Sequence, residues 1–283
     1  MSLSIKRNEI IAYLNEMAPE ELAESWDNSG LLLAGEAEEV EGVLLCLDVT
    51  EQVVETAIQK KASLIISHHP LIFSAIKRIS VHERTGSLVY RLIQHKIDVY
   101  SAHTNVDKTY GGLNDILAGI IGVEGIKEDE IFDDCEQTPY RIGKMPGAFS
   151  IQAFNEHVSM RLRQESFMVS DLSIKDPGLP THKIIQKVAV MCGSFDIPIS
   201  LLQKQGIDAV VCGELKHNQV LALIGEGIHV ISAGHHGSEH FFITLIQKWL
   251  VEKFPTLTVH CAGFDSYPLY VFNSTSENGS DNK

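Results

Sequence analysis

Leu64-Ile65-Ile66-Ser67-His68-His69-Pro70 decides how this chain is read. Leu64-Ile65-Ile66 has the composition of a buried strand, and it closes on two adjacent imidazoles. A buried histidine needs partners for both ring nitrogens. A metal ion is one such partner and loop carbonyls are another. The dipeptide by itself does not choose between them.

Outward from this strand the pattern is regular. Strand Val43 to Asp48 precedes it, with a helix from Glu51 to Lys61 between; a helix from Ser87 to His95 and a strand from Asp98 to Ala102 follow. Short β-rich runs alternating with helical stretches predict βαβ units around a mainly parallel sheet. The same order returns after Lys187: strand Val188 to Cys192, helix Ile199 to Gln205, strand Ala209 to Cys212, helix Gln219 to Ile224 and strand His229 to Ala233. Overlaying Asp98-Val99-Tyr100-Ser101-Ala102-His103 on Ile228-His229-Val230-Ile231-Ser232-Ala233 leaves His235 just beyond the second strand. The chain therefore reads as an internal pseudo-duplication within an α/β fold.

Elsewhere the signals are weaker. Apolar positions at helical spacing predict an opening helix over residues 5 to 17, stopped by Pro19. Trp26-Asp27-Asn28-Ser29-Gly30-Leu31 reads as a tight turn pinned by a buried Trp, with a pocket wall as the alternative. Phe149 to Phe154 alternates like a strand, and Val158 to Phe167 reads as a helix. The acidic run Glu128-Asp129-Glu130 marks an expected boundary between a first α/β domain (1–128) and a second (129–272). A flexible tail is expected over 273–283.

Composition limits the function classes. The 283 residues are 44% hydrophobic and 21% charged, and no apolar run approaches the ~20 residues that span a bilayer. No membrane partner is expected. Charges within Met1 to Glu9 stand where a secretory signal needs its apolar segment, which predicts a cytoplasmic protein. Five cysteines without a C-x-x-C pair read as reduced core residues. A formal charge of −14 with no basic stripe argues against nucleic acid as a partner.

Three strand ends carry groups that bind metals. They are His68-His69, His103-Thr104-Asn105-Val106-Asp107 and Gly234-His235-His236-Gly237-Ser238-Glu239-His240. In parallel α/β sheets ligand sites form outside the carboxyl ends of strands. His103 with Asp107, and His235 with Glu239, are four residues apart and would share one face of a helical turn. One such pair alone is often an ordinary polar turn. Three clusters at three strand ends point instead to a dinuclear site of His68, His69, His103, Asp107, His235 and Glu239, in which the two carboxylates can bridge. Imidazole mixed with carboxylate favours Zn, Fe, Mn or Ni over Mg or Ca.

These motifs, Ser67-His68-His69-Pro70-Leu71-Ile72-Phe73, Ala102-His103-Thr104-Asn105-Val106-Asp107 and Gly234-His235-His236-Gly237-Ser238-Glu239, preceded by Trp26-Asp27-Asn28-Ser29-Gly30-Leu31, resemble those of the NIF-three-like family, also labelled GTP cyclohydrolase 1 type 2 homologues. The resemblance runs in order from about residue 5 to 270. It implies two similar α/β domains, a dinuclear centre in the cleft between them and a ring-shaped homohexamer whose sites face an inner cavity. It agrees with the six ligands chosen on spacing and leaves His236 and His240 outside them.

Two ions with open positions favour hydrolysis of a small substrate, and the family label implies one that is nucleotide-like or a cyclic amide. Glu214 ends the strand equivalent to that of the His pair, and so is the candidate catalytic proton acceptor or orienting residue. Lys77, Arg78 and Arg84 are candidate phosphate contacts. The alternative is a non-catalytic protein that stores, delivers or senses the metal.

Overall fold

The structure is a computed structural model that describes residues 5–36, 38–126, 132–133 and 136–262. The acidic run at 128–130 and the tail beyond Asn273 lie outside the described residues. A short β1 (Ile5–Lys6) leads into α1 (Arg7–Met17), and β2 (Gly30–Leu33) and β3 (Glu39–Val40) follow, β3 pairing with β1. Next come β4 (Val43–Cys46), α2 (Glu51–Lys60), β5 (Leu64–Ser67), α3 (Arg84–Gln94) and β6 (Asp98–Ser101). Two helices, α4 (Thr104–Lys108) and α5 (Leu113–Ile121), carry the chain onward, past the paired β7 (Phe132–Asp133) and β8 (Glu136–Gln137).

The second half holds β9 (Arg141–Ser150), α6 (Ile151–Leu162), β10 (Met168–Val169), α7 (Leu179–His182), β11 (Ile184–Ser194), α8 (Ile199–Gln205), β12 (Ala209–Glu214), α9 (His217–Gly225) and β13 (His229–Ser232). It closes with α10 (His235–Glu239), α11 (Phe241–Lys253) and β14 (Val259–Cys261).

Local chemistry sets the boundaries. Thr50 Oγ1 accepts from Val53 N at 3.2 Å to start α2, which ends where Lys61 turns left-handed. The expected strand over Phe149 to Phe154 is divided. It stops at Ser150, whose hydroxyl accepts from Ala153 N at 3.2 Å and starts α6. Ile151, Phe154, Val158 and Leu162 then recur at helical spacing, so the cap and the 3.6-residue period override the short alternation.

Two mixed five-stranded sheets result, in the orders β14-β4-β5-β6-β2 and β10-β13-β12-β11-β9. Each has a parallel triad in chain order, β4-β5-β6 and β11-β12-β13, and an antiparallel strand beyond the third member. The β14 strand pairs parallel with β4, so the chain returns to the first sheet.

Strands buried on both faces explain the unbroken apolar runs. One face of the first triad, with Val43, Leu45, Leu64 and Ile66, shares a core with Val188, Val190, Ala209 and Val211 of the second. Helices α1, α5, α6 and α11 fill the space between the sheets. Burial there contributes roughly 1.5–3 kcal/mol for each Leu, Ile or Val. The opposite faces pack under α2 and α3 on one side and α8 and α9 on the other. Among the described residues no helix is long and apolar enough to cross a membrane.

Candidate metal centre

Both parallel triads direct strand ends into one cleft of about 710 Å³, a size that suits a small ligand. His68 and His69 leave the end of β5, and His103 leaves β6, one turn before Asp107 on α4. Across the cleft, His235 and Glu239 lie one turn apart on α10. Their ligand atoms form three groups, each within 4.8 Å: His68, His69 and His103; His69, His235 and Glu239; and His68, Asp107 and Glu239.

Glu239 is the hinge of the arrangement. Its Oε1 lies 3.6 Å from His68 Nε2, while its Oε2 is 3.1 Å from both His69 Nε2 and His235 Nε2. The two oxygens therefore face two different sets of imidazoles.

The Nδ1 atoms have separate duties. His68 Nδ1 donates to Ala102 O at 2.9 Å, and His103 Nδ1 to Asp27 Oδ1 at 2.7 Å. His69 Nδ1 bonds Asp48 Oδ1 at 3.0 Å, and His235 Nδ1 lies 3.3 Å from Glu214 Oε1. Acceptors on all four Nδ1 atoms turn all four Nε2 atoms toward the cluster, which is how proteins orient imidazole ligands.

Two buried atoms, His68 Nε2 and Asp107 Oδ1, make no hydrogen bond, although they lie 3.8 Å apart. Burial of such groups without partners is costly. His69 Nε2 and His235 Nε2 also approach to 3.2 Å, a contact that needs a proton or a cation between or beside them. The donor set and these orphaned atoms fit a divalent ion.

Without an ion, protons do part of its work. Burial lowers His68 to about 4, so it is neutral. Burial would also lower His69, but its bonds to Asp48 and Glu239 prevail and raise it to about 10. The Glu239 hydrogen bond raises His235. Burial would raise Glu239, yet His68, His69 and His235 together hold it well below the usual carboxylate range. Asp107 is pushed well up by burial and by the Glu239 charge.

Two residues that orient ligands were not singled out by sequence reasoning. Asp27 belongs to the segment expected to turn around a buried Trp; instead Trp26 is 57% exposed on the rim of the cleft, and it is the Asp27 side chain that is buried. Its carboxylate accepts from Thr104 Oγ1 at 2.6 Å and Ser29 Oγ at 2.8 Å besides holding His103. These bonds overcome its burial and hold it well below the carboxylate range. No spacing rule marks it. Asp48 did carry a signal, because it follows β4 at the same sheet edge as the His pair.

Glu214 lines the cleft, accepts from Ser194 Oγ at 2.8 Å and faces His235. His236 and His240 stack on the other face of α10, at a ring separation of 5.7 Å, and line a second cavity. Arg78 pairs with Glu83 and Arg84 with Glu51, away from the cleft; Lys216 lines it instead, and Lys77 does not.

Backbone shape completes the site. Gly193 has φ +61, and a Cβ there would collide with Glu239 Oε1. At Gly213 a Cβ would lie 2.7 Å from Ser238 Oγ. The two glycines let α10 press against β11 and β12.

The family model described as Duf34/NIF3 (NGG1p interacting factor 3) matches residues 5–268. A Clostridium perfringens protein named GTP cyclohydrolase 1 type 2 homolog is 31% identical over 250 residues, covering 88% of this chain and 92% of its own. The NIF3-like protein 1 of Drosophila melanogaster is 31% identical over 258 residues, covering 86% and 82%. A crystal structure of a Bacillus cereus protein related to NIF3 superposes with a TM-score of 0.82 at 21% identity, covering 96% of this chain and all of that one, and supports the fold. With the match spanning both sheets and every candidate ligand, the chain belongs to the Duf34/NIF3 family.

Proposed function

We propose that the protein is a metal-dependent hydrolase of a small molecule, working with two divalent ions held by His68, His69, His103, Asp107, His235 and Glu239. The observation that carries this reading is Glu239, whose two oxygens face separate histidine groups while His68 Nε2 and Asp107 Oδ1 stay buried without hydrogen bonds. Zn, Fe, Mn or Ni suits such donors. When bound, such ions supply a deprotonated water near neutral pH and polarise an electrophile. The chain's own residues do the rest. Asp27, Asp48 and the Ala102 carbonyl keep the imidazoles aimed, and Glu214, open to the cleft beside His235, takes up the proton.

The matching parallel triads support an internal duplication, in which His103 and Asp107 follow the third strand of one triad and His235 and Glu239 the third strand of the other. A homohexamer, the oligomer expected from the sequence resemblance, is part of the same proposal, and light scattering tests it.

The experiment is purification, metal analysis after reconstitution, and a screen of GTP, phosphoesters and cyclic amides with wild type, Glu239→Ala and Glu214→Gln. Hydrolysis that needs about two ions per chain and vanishes in Glu239→Ala supports the proposal. Activity that persists after chelation overturns it. A metal-replete chain inert to every substrate favours the alternative, a protein that stores, delivers or senses the ion.

A further inference from the structure

We infer that Trp26 and Phe73 form a stacking platform for a planar heteroaromatic ring of the substrate, an inference that rests on the cleft being the substrate site. Both rings stand on its rim, 57% and 54% exposed, whereas Trp249 is 7% exposed in the core. Large aromatic side chains contribute most when covered, and they pair by offset or edge contacts. Leaving two uncovered at the mouth of a polar cleft forgoes that contribution until something planar arrives.

The geometry is prearranged. The two ring centroids are 5.9 Å apart and tilted by 49°, an open V in which a ring stacked on one meets the edge of the other. His103 packs edge-on against both, at 6.2 Å from Trp26 and 6.4 Å from Phe73, so the platform adjoins the metal ligands directly. Asn28 Nδ2 donates to Ile72 O at 2.5 Å and ties the two rim loops together. Three consecutive residues thus divide the work: Trp26 offers the face, Asp27 aims His103 and Asn28 holds the Phe73 loop in place.

The test titrates GMP and ribose 5-phosphate into the full-length protein, metal-free and ion-loaded, by calorimetry and tryptophan fluorescence. GMP is expected to quench the exposed tryptophan and to bind more tightly than ribose 5-phosphate in both states. Trp26→Ala should weaken GMP by roughly tenfold or more, the size of one base–aromatic stack, and leave ribose 5-phosphate within about twofold. Trp26→Phe should restore most of the loss. Phe73→Leu should give a smaller loss of the same kind.

Equal binding of the two probes, or a Trp26→Ala variant that binds GMP as wild type does, overturns the platform. Shielding of both tryptophans from acrylamide in the unliganded protein also overturns it, because a second copy of the chain would then cover the rim. Metal analysis of the same samples keeps the two readings apart. A ring preference without stoichiometric ions supports the platform against the hydrolase; full ion loading without ring preference does the reverse.

Discussion

Two buried polar assemblies meet at α4, and they are built to opposite rules. On one side Arg141, 1% exposed, spends every donor: its Nε and Nη2 grip the Asp115 carboxylate at 2.8 and 2.9 Å, and its Nη1 and Nη2 reach the carbonyls of Thr138, Tyr140, Lys108 and Thr109. Asn114 completes the assembly, donating to Asp107 O and Pro139 O and accepting from Cys192 N. On the other side the Asp107 side chain enters the histidine cluster, where buried atoms stay without hydrogen bonds. A closed network is a fastening; an open one of the same burial is where a proton or a proposed cation has polar atoms left to satisfy. The fastening positions the main chain of Asp107, so the open side can keep its carboxylate aimed.

The largest effect that tests this contrast is in the closed network. Arg141→Met leaves the part-buried Asp115 carboxylate with Gly111 N but without its cation, takes the Arg141 donors from the carbonyls of Lys108 and Thr138, and should cost about 3–5 kcal/mol in denaturant unfolding. A cost under about 1 kcal/mol would erase the distinction.

Ion loading tests the open network. At an ion concentration about a thousandfold above Kd the wild type should gain roughly 4 kcal/mol, lost again on chelation. His68→Ala should abolish most of that gain and much of the metal content. Arg141→Met, less stable throughout, should still show it. Equal gains in His68→Ala and wild type would place the ions elsewhere.

Smaller effects come from residues that stand behind the ligands. Asp27→Asn removes the carboxylate behind His103, and Gly193→Ala forces Glu239 to move. Each should weaken metal binding by about 10–100-fold in competition titrations while circular dichroism keeps the native spectrum. Unchanged affinity in both would mean that these neighbours do not aim the ligands.

The gentlest probe is pH. His69, raised to about 10 by Asp48 and Glu239 against the pull of burial, stabilises the metal-free protein fully below its ordinary value near ~6.5 and loses that contribution as pH rises through 10. Glu239, held low, contributes above its ordinary value near ~4.3 and loses its part on acidification. An incoming ion must displace the His69 proton. Its apparent affinity should therefore rise about tenfold per pH unit between about pH 7 and 9. A flat profile would exclude His69 as a ligand.

Most of the frame was legible in the amino-acid sequence because it depends on neighbours a few residues apart. The β5 run, its ending in His68-His69 and the four-residue spacings His103–Asp107 and His235–Glu239 all rest on local periodicity. The α6 boundary was missed because a serine cap outweighed two apparent alternations. Trp26 is exposed where a buried turn anchor was expected, and it lines the cleft, which is the pocket-wall alternative.

By itself, then, the sequence determined the α/β alternation, the strand ends and the six side chains that the fold gathers into one cluster. Only the tertiary structure decided what stands behind each ligand and how the two halves share one cluster. Asp27 reaches His103 across 76 residues and Glu239 reaches His69 across 170. Contacts at that separation follow from sheet order and the shared helical core, and no local spacing encodes them.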